Sequence, residues 1–237
     1  MDITINQYES SDSYSISEDQ YKPLGDLNTL YPQLCIRTNR TPVRTNIDDV
    51  VSEANRVADQ YPIDDKENRS KAVMEALTNM FGSGDFGHAW LIFFQSTKPN
   101  SYTTYAYREE AGYVKNGYWE RPERRFHLQY CIHLPSSDNL PLVLENTIIP
   151  ELNKASYEIA NIMGLPVPDP SKGAYTPITN CAWFAGNLWN YATETQFNYE
   201  QDFDGTLHAD YWGMPFLHGV ERISDPGMIA ETIESLN

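Results

Sequence analysis

Between Tyr175 and Asn190 a polar turn, Tyr175-Thr176-Pro177-Ile178-Thr179-Asn180, runs straight into an apolar segment that opens on Cys181. Phe184, Ala185, Leu188 and Ala192 recur there at helical spacing, and Asn180 or Thr179 can cap the first turn. This predicts an apolar helix with a cysteine at its N-terminus. A thiol in that position lies among unpaired backbone N–H groups, where the helix dipole favours the anionic form. Far upstream, Gly87-His88-Ala89-Trp90-Leu91-Ile92-Phe93-Phe94 places a histidine at the mouth of a buried strand. A cysteine and a histidine that are distant in sequence but can meet in a fold are the minimum for thiol catalysis.

The elements around these two residues predict an α+β fold. Strands are expected over His88–Gln95, Tyr102–Tyr107 and Phe126–Leu134, with a Gly- and Tyr-rich connection between the last two. In the third, Phe126, Leu128, Tyr130, Ile132 and Leu134 alternate with His127, Gln129, Cys131 and His133, so one face is apolar and the other mixed. Two helices precede the strands. Ile47, Val50, Val51, Ala54, Val57 and Ala58 mark the first, with Asn46 as its cap. Ala72, Val73, Ala76, Leu77, Met80 and Phe81 mark the second, which Gly82-Ser83-Gly84 stops. Both read as a packing layer in front of the sheet. A helical region from about Ser137 to Met163 is kinked or divided by Pro150 and ends at Gly164. The expected organisation is a loose arm over 1–25 and a single domain over 26–237. Its core lies at about 84–192 and its acidic C-terminal extension at 193–237, which ends in a helix bearing Ile229, Ile233 and Leu236.

The chain's net charge of −16 argues against binding nucleic acid or an anionic membrane surface, because phosphate contacts need a basic face. No apolar run approaches the length of a membrane helix, so stable membrane insertion is not expected. Cys35, Cys131 and Cys181 are an odd, widely spaced set, which reads as reduced with at least one free thiol. Cys131 and His133 share a strand face, but zinc would want a further strong ligand beyond His127 and Gln129. No metal and no cofactor is expected. Met1-Asp2-Ile3-Thr4-Ile5-Asn6 has neither the basic start nor the apolar stretch of a signal peptide. The protein is therefore expected in the cytoplasm of the cell that makes it, and another machine must carry it if it works outside. Asn39-Arg40-Thr41 and Asn68-Arg69-Ser70 match the glycosylation pattern and read as chance.

Gly87-His88-Ala89-Trp90 on a strand, more strands, a helix, and then Tyr175-x-x-Ile178-Thr179-Asn180-Cys181-Ala182-Trp183-Phe184-Ala185 resemble the circularly permuted papain-like hydrolases. That group includes permuted NlpC-type peptidases, lecithin:retinol acyltransferase-like proteins and PPPDE-type isopeptidases. The resemblance covers residues 84–192, about half the chain, and implies a small antiparallel sheet packed on the cysteine helix. It implies Cys181 as nucleophile, His88 as general base and the Cys181 backbone N–H as part of an oxyanion hole. A third group should orient the imidazole. His127 is the first candidate and Thr104 the second. Asn180 reads as a cap, and Trp90, Trp183 and Trp189 as core. The implied activity is amide hydrolysis through an acyl-enzyme, with peptidoglycan stem peptides as the leading substrate. That suits an antibacterial effector carried by a type VI-like secretion machine and neutralised by a cognate immunity protein. Acyl transfer, protein deamidation and an inert papain-like binding module are the alternatives.

One motif competes. Asp202-Phe203-Asp204-Gly205-Thr206 matches the signature of haloacid-dehalogenase-like phosphatases. The segment before it, Asn198-Tyr199-Glu200-Gln201, is too polar for the strand that family needs, and only a short stretch follows. It reads as an acidic turn.

Overall fold

A computed structural model describes residues 25–135, 139–193 and 196–236. Nearly all of the arm expected over 1–25, and the start of the helical region at Ser137, lie outside these residues. In chain order the elements are β1 (Gln33–Thr38), α1 (Ile47–Ala58), α2 (Lys66–Gly82), β2 (Ala89–Phe94), β3 (Tyr102–Arg108), β4 (Gly112–Lys115) and β5 (Leu128–His133). There follow α3 (Leu140–Val143), α4 (Ile149–Ile162), α5 (Cys181–Thr193), β6 (Glu200–Asp202), α6 (Thr206–Trp212), β7 (Arg222–Ser224) and α7 (Pro226–Leu236). The chain is α+β. Its main sheet is antiparallel throughout, in the order β4-β3-β2-β1-β5.

The sheet alternates as the pleat requires. Leu34, Ile36, Ala89, Leu91, Phe93, Tyr105 and Tyr107 face α5, together with Ile229 and Ile233 of α7. Cys35, Trp90, Ile92, Phe94, Ala106 and Cys131 form a smaller apolar cluster. On α5, Phe184, Leu188 and Trp189 are buried and Tyr107 stacks on Phe184 with ring centroids 4.3 Å apart. Each such side chain contributes roughly 1.5–3 kcal/mol through removal from water. Mid-helix, Gly186 permits close approach: a Cβ there would lie 2.1 Å from the Tyr199 ring. The helical region does not break at Pro150, which sits at the start of α4: the five residues before α4, Leu144–Ile148, wind as a π-turn that joins α3 to α4 without a gap.

Three expectations need correction. First, α1 and α2 do not lie in front of the sheet. Val50, Ala54, Val73, Leu77 and Phe81 join Trp212 of α6, with Met214 and Leu217, in a second core of their own. Second, the chain is not fully reduced. Cys35 and Cys131 face each other across the β1–β5 ladder and form a disulfide, leaving Cys181 as the free thiol. Cys131 is thereby removed as a metal ligand, and the described residues contain no cluster that could hold a metal ion. Third, Phe126 does not continue the apolar face of β5. The strand begins at Leu128, and Phe126 instead lies under the Arg37 guanidinium, 4.1 Å from it. The Asp202–Thr206 stretch is a turn between β6 and α6, in which the Asp204 carboxylate accepts from Thr206 N–H. No helix among the described residues is long and apolar enough to cross a membrane.

Candidate active site

The turn before α5 is built by two threonines. Thr176 Oγ1 accepts from the N–H groups of Ile178 and Thr179, and Thr179 Oγ1 donates to Ala174 O. Asn180 then caps the helix. Its Oδ1 accepts from Ala182 N–H at 2.9 Å and Trp183 N–H at 3.1 Å, while its Nδ2 donates to Ser224 O at 2.8 Å. The capping bonds go to Ala182 and Trp183, so the N–H of Cys181 is not among the donors Asn180 occupies. Asn180 is a fully buried cap, as its sequence context predicts.

Cys181 Sγ lies 3.8 Å from Gly87 O. The glycine is needed for that carbonyl to point where it does. Its φ of +89° lies in the region that side chains with a Cβ avoid, and a Cβ would stand 3.2 Å from Asn39 Oδ1. The same Asn39 oxygen accepts from His88 N–H at 2.6 Å, and Asn39 N–H donates to His88 O at 3.1 Å. Asn39, at the end of β1, thus clamps the histidine backbone on both sides. Trp90, buried at 1% exposure, stacks on the imidazole with centroids 5.3 Å apart.

The imidazole is fixed through Nε2, which faces Glu120 Oε1 at 2.9 Å and leaves Nδ1 outside that bond, and Cys181 lies near enough to act on the ring's protonation. Arg108 Nε donates to the same Glu120 oxygen at 2.8 Å. Glu120 is fully buried in a short 3-10 turn, Tyr118–Glu120. Its other oxygen, Oε2, has no hydrogen-bond partner among the described residues. The carboxylate's charge is therefore answered at one atom, by His88 and Arg108. Burial is the strongest influence on His88 and pushes its pKa down. The hydrogen bonds and charges of Cys181 and Glu120 together outweigh it and hold the imidazole at about 9. Burial likewise pushes Glu120 up, but hydrogen bonding to His88 and the positive charges of His88 and Arg108 bring it below the ordinary carboxylate range. At neutral pH the centre presents a charged imidazole between the Cys181 sulfur and the Glu120 carboxylate.

Cys181 itself is covered, at 1% exposure, whereas the His88 side chain is 20% exposed. A cleft of ≈ 520 Å³ is lined by Gly87, whose carbonyl lies 3.8 Å from the sulfur, and by His88 and Tyr175, on both of which Cys181 acts electrostatically. Tyr175 donates its hydroxyl to Phe81 O at the end of α2, 2.8 Å away. Burial first, then the charge of Cys181, raises the pKa of that hydroxyl far above the usual range, so it remains a donor. A substrate reaching the thiol from this cleft must move Tyr175 or the Gly87 turn.

No family model, no curated protein and no solved structure matches this chain. What can be said of chemistry therefore rests on the arrangement of its own residues. The structure brings together Cys181 and His88, as the sequence leads one to expect, and does not bring His127 to them. His127 is exposed, and its backbone N–H donates to Thr38 O on the β5 side of β1, whereas His88 precedes β2 on the other side. Thr104 is buried opposite Ile92, within the sheet. The orienting position is filled by Glu120, and the histidine backbone is set by Asn39. In sequence Asn39 stands out only as a chance glycosylation match, and Glu120 not at all. The nearest signal for Glu120 is an acidic residue directly after Tyr118-Trp119 in a connection that also carries Glu123.

Proposed function

We propose that this protein is a thiol-dependent amide hydrolase working through an acyl-enzyme. The observation that carries the reading is the meeting of Cys181, His88 and Glu120, with Nε2 tied to a buried carboxylate at 2.9 Å and Cys181 Sγ 3.8 Å from the carbonyl of Gly87 beside the histidine. Nucleophile, base and a third group that fixes the base are the parts this chemistry requires. Cys181 attacks the amide carbonyl carbon as the thiolate, its proton already resting on the imidazolium. The resulting oxyanion lies at the start of α5, where the Cys181 N–H and the helix dipole favour negative charge. The imidazolium gives that proton to the departing amine as the C–N bond breaks, leaving a thioester and a neutral imidazole. Water, deprotonated by the imidazole, then releases the acid and restores the thiolate beside the imidazolium. Glu120 keeps the imidazole oriented and stabilises its charge. Arg108 braces Glu120.

The order of elements, with the histidine strand before the cysteine helix, supports the reading of a permuted papain-like fold. The Cys35–Cys131 disulfide supports action in an oxidising compartment, since such bonds persist outside the reducing cytosol. Together these favour a cell-wall peptide substrate and an effector delivered out of the producing cell, with an immunity protein and a secretion carrier as partners. The test is incubation with purified peptidoglycan and mass analysis of the products. Wild type should release new muropeptide fragments, and Cys181→Ala and Glu120→Gln should release few or none. Unchanged muropeptides with wild type would defeat the substrate, and undiminished release by Cys181→Ala would defeat the nucleophile.

A further inference from the structure

Among the residues lining the cleft in front of the thiol, Arg108, Arg124 and Arg125 are basic. On a chain of net charge −16 this is a local reversal of sign. The two carboxylates of the lining do not cancel it evenly. Glu109 is committed to the end of the cleft near α2, where its carboxylate occupies the space a Cβ of Gly82 would take, at 2.4 Å. Glu110 is exposed on the β3–β4 turn. Arg108 lies on the side of His88 and Glu120, and Arg124 and Arg125 line the cleft from the segment that follows Glu120 in the chain. Arg108, 32% exposed, gives Nε to Glu120, and its planar fork has further N–H donors. Arg124 lies over the Tyr118 ring at 3.6 Å and the Trp119 ring at 5.1 Å, which holds its guanidinium plane against an aromatic wall. Arg125 is exposed beside it.

We propose that this cleft selects substrates bearing a carboxylate close to the scissile amide, seated on the arginine side next to His88. The inference rests on the hydrolase reading for the word substrate, while the anion preference itself rests on the cleft alone. Guanidinium groups suit it, because a planar fork matches a carboxylate with two parallel hydrogen bonds. The acidic remainder of the surface repels anions elsewhere and leaves this cleft as the place that admits one.

The test uses Cys181 as a built-in probe, since the other two cysteines are joined. Alkylation by iodoacetate and by iodoacetamide is followed near neutral pH by intact mass, with glutathione as the reference thiol. The iodoacetate-to-iodoacetamide rate ratio should exceed that of glutathione at least fivefold. Arg125→Gln should lower it about two- to fivefold, the range of one exposed charge, and Arg125→Lys should restore most of it. His88 raises the ratio in every variant, so the difference between Arg125→Gln and wild type is the deciding quantity. An equal ratio in the two overturns the proposal.

Should neither reagent label Cys181, the hydrolase reading falls and a second measurement decides the anion site. Trp90 and Trp119 line the cleft, so tryptophan fluorescence in Cys181→Ala can be titrated with N-acetylglutamate and with N-acetylglutamine. A saturable change at several-fold lower concentration for the acid, lost in Arg124→Gln/Arg125→Gln, supports the site. Equal responses to acid and amide overturn it.

Discussion

Glu120→Gln separates the role of the carboxylate's charge from that of its shape. The wild-type carboxylate takes two charge-assisted hydrogen bonds at one oxygen, from His88 Nε2 at 2.9 Å and Arg108 Nε at 2.8 Å. Bonds to charged groups contribute about 1.5–3 kcal/mol each to stability. Glutamine keeps an acceptor of the same shape, and a neutral acceptor is roughly half as strong, so a loss of about 1.5–3 kcal/mol is expected over the two bonds. Urea unfolding of variant and wild type at equal slope measures it. The His88 titration gives an independent reading. Its pKa is raised from the ordinary 6.5 to about 9 in the folded protein. The stability it contributes is therefore fully present below pH 6.5 and is lost as pH rises through about 9. Without the Glu120 charge, burial is opposed by Cys181 alone, and the midpoint should fall toward 6.5. NMR of the His88 ring follows this directly, and the decline in stability from pH 6.5 to 9 should flatten with it. If Glu120→Gln unfolds at the same urea concentration and His88 still titrates at about 9, the carboxylate does not brace the imidazole. The proposed triad would then reduce to a pair.

Gly87→Ala forces a side chain into a backbone at φ +89° and against Asn39 Oδ1. Strain of about 1–3 kcal/mol is expected, with the Gly87 carbonyl displaced from Cys181, and iodoacetamide labelling of Cys181 at neutral pH should change in rate along with the urea midpoint. Asn180→Ala removes the cap from the first turn of α5 and should cost about 1–2 kcal/mol, measured by thermal unfolding, because a buried hydrogen bond to Ser224 O is lost as well. The double substitution Cys35→Ala/Cys131→Ala opens a loop whose ends are 96 residues apart in sequence. Closing a loop of that size contributes about 4–5 kcal/mol in the chain-entropy model. Reduced and oxidised wild type should therefore differ in urea midpoint, and the double variant should match the reduced form.

The elements that read clearly from sequence are those whose pattern is local. Asn46 before an amphipathic run, Gly82-Ser83-Gly84 after one, and Asn180 before Cys181 each declare a helix end through the chemistry of a few adjacent residues, and each helix ends there. β1 hides for the opposite reason. A strand buried on both faces is expected to be continuously apolar, but Gln33, Arg37 and Thr38 interrupt this one. All three are buried. Arg37 is accommodated by Gln129 and by Pro122 O, partners far away in the chain. The disulfide is invisible on the same grounds, since only the β1–β5 register places Cys35 opposite Cys131. Cys181 and His88 are legible because a helix start and a strand mouth are local contexts. Glu120 and Asn39 act through long-range contacts that no spacing rule records, whereas His127 stands out in sequence because its strand alternates cleanly.

The position of β1 also bears on how the molecule is made. It is the first described strand of the chain, yet it lies between β2 and β5 in the finished sheet. Neither ladder edge of β1 can be filled until much later segments have been synthesised. Asn39 cannot grip His88 until β2 pairs, and Cys181 comes later still, beyond β5 and α4. Contacts so widely separated in sequence make folding slow, because loop closure must precede any stabilising contact. The thiol, imidazole and carboxylate are therefore brought together only near the end of assembly. A chain interrupted before α5 carries His88 and Glu120 but lacks Cys181.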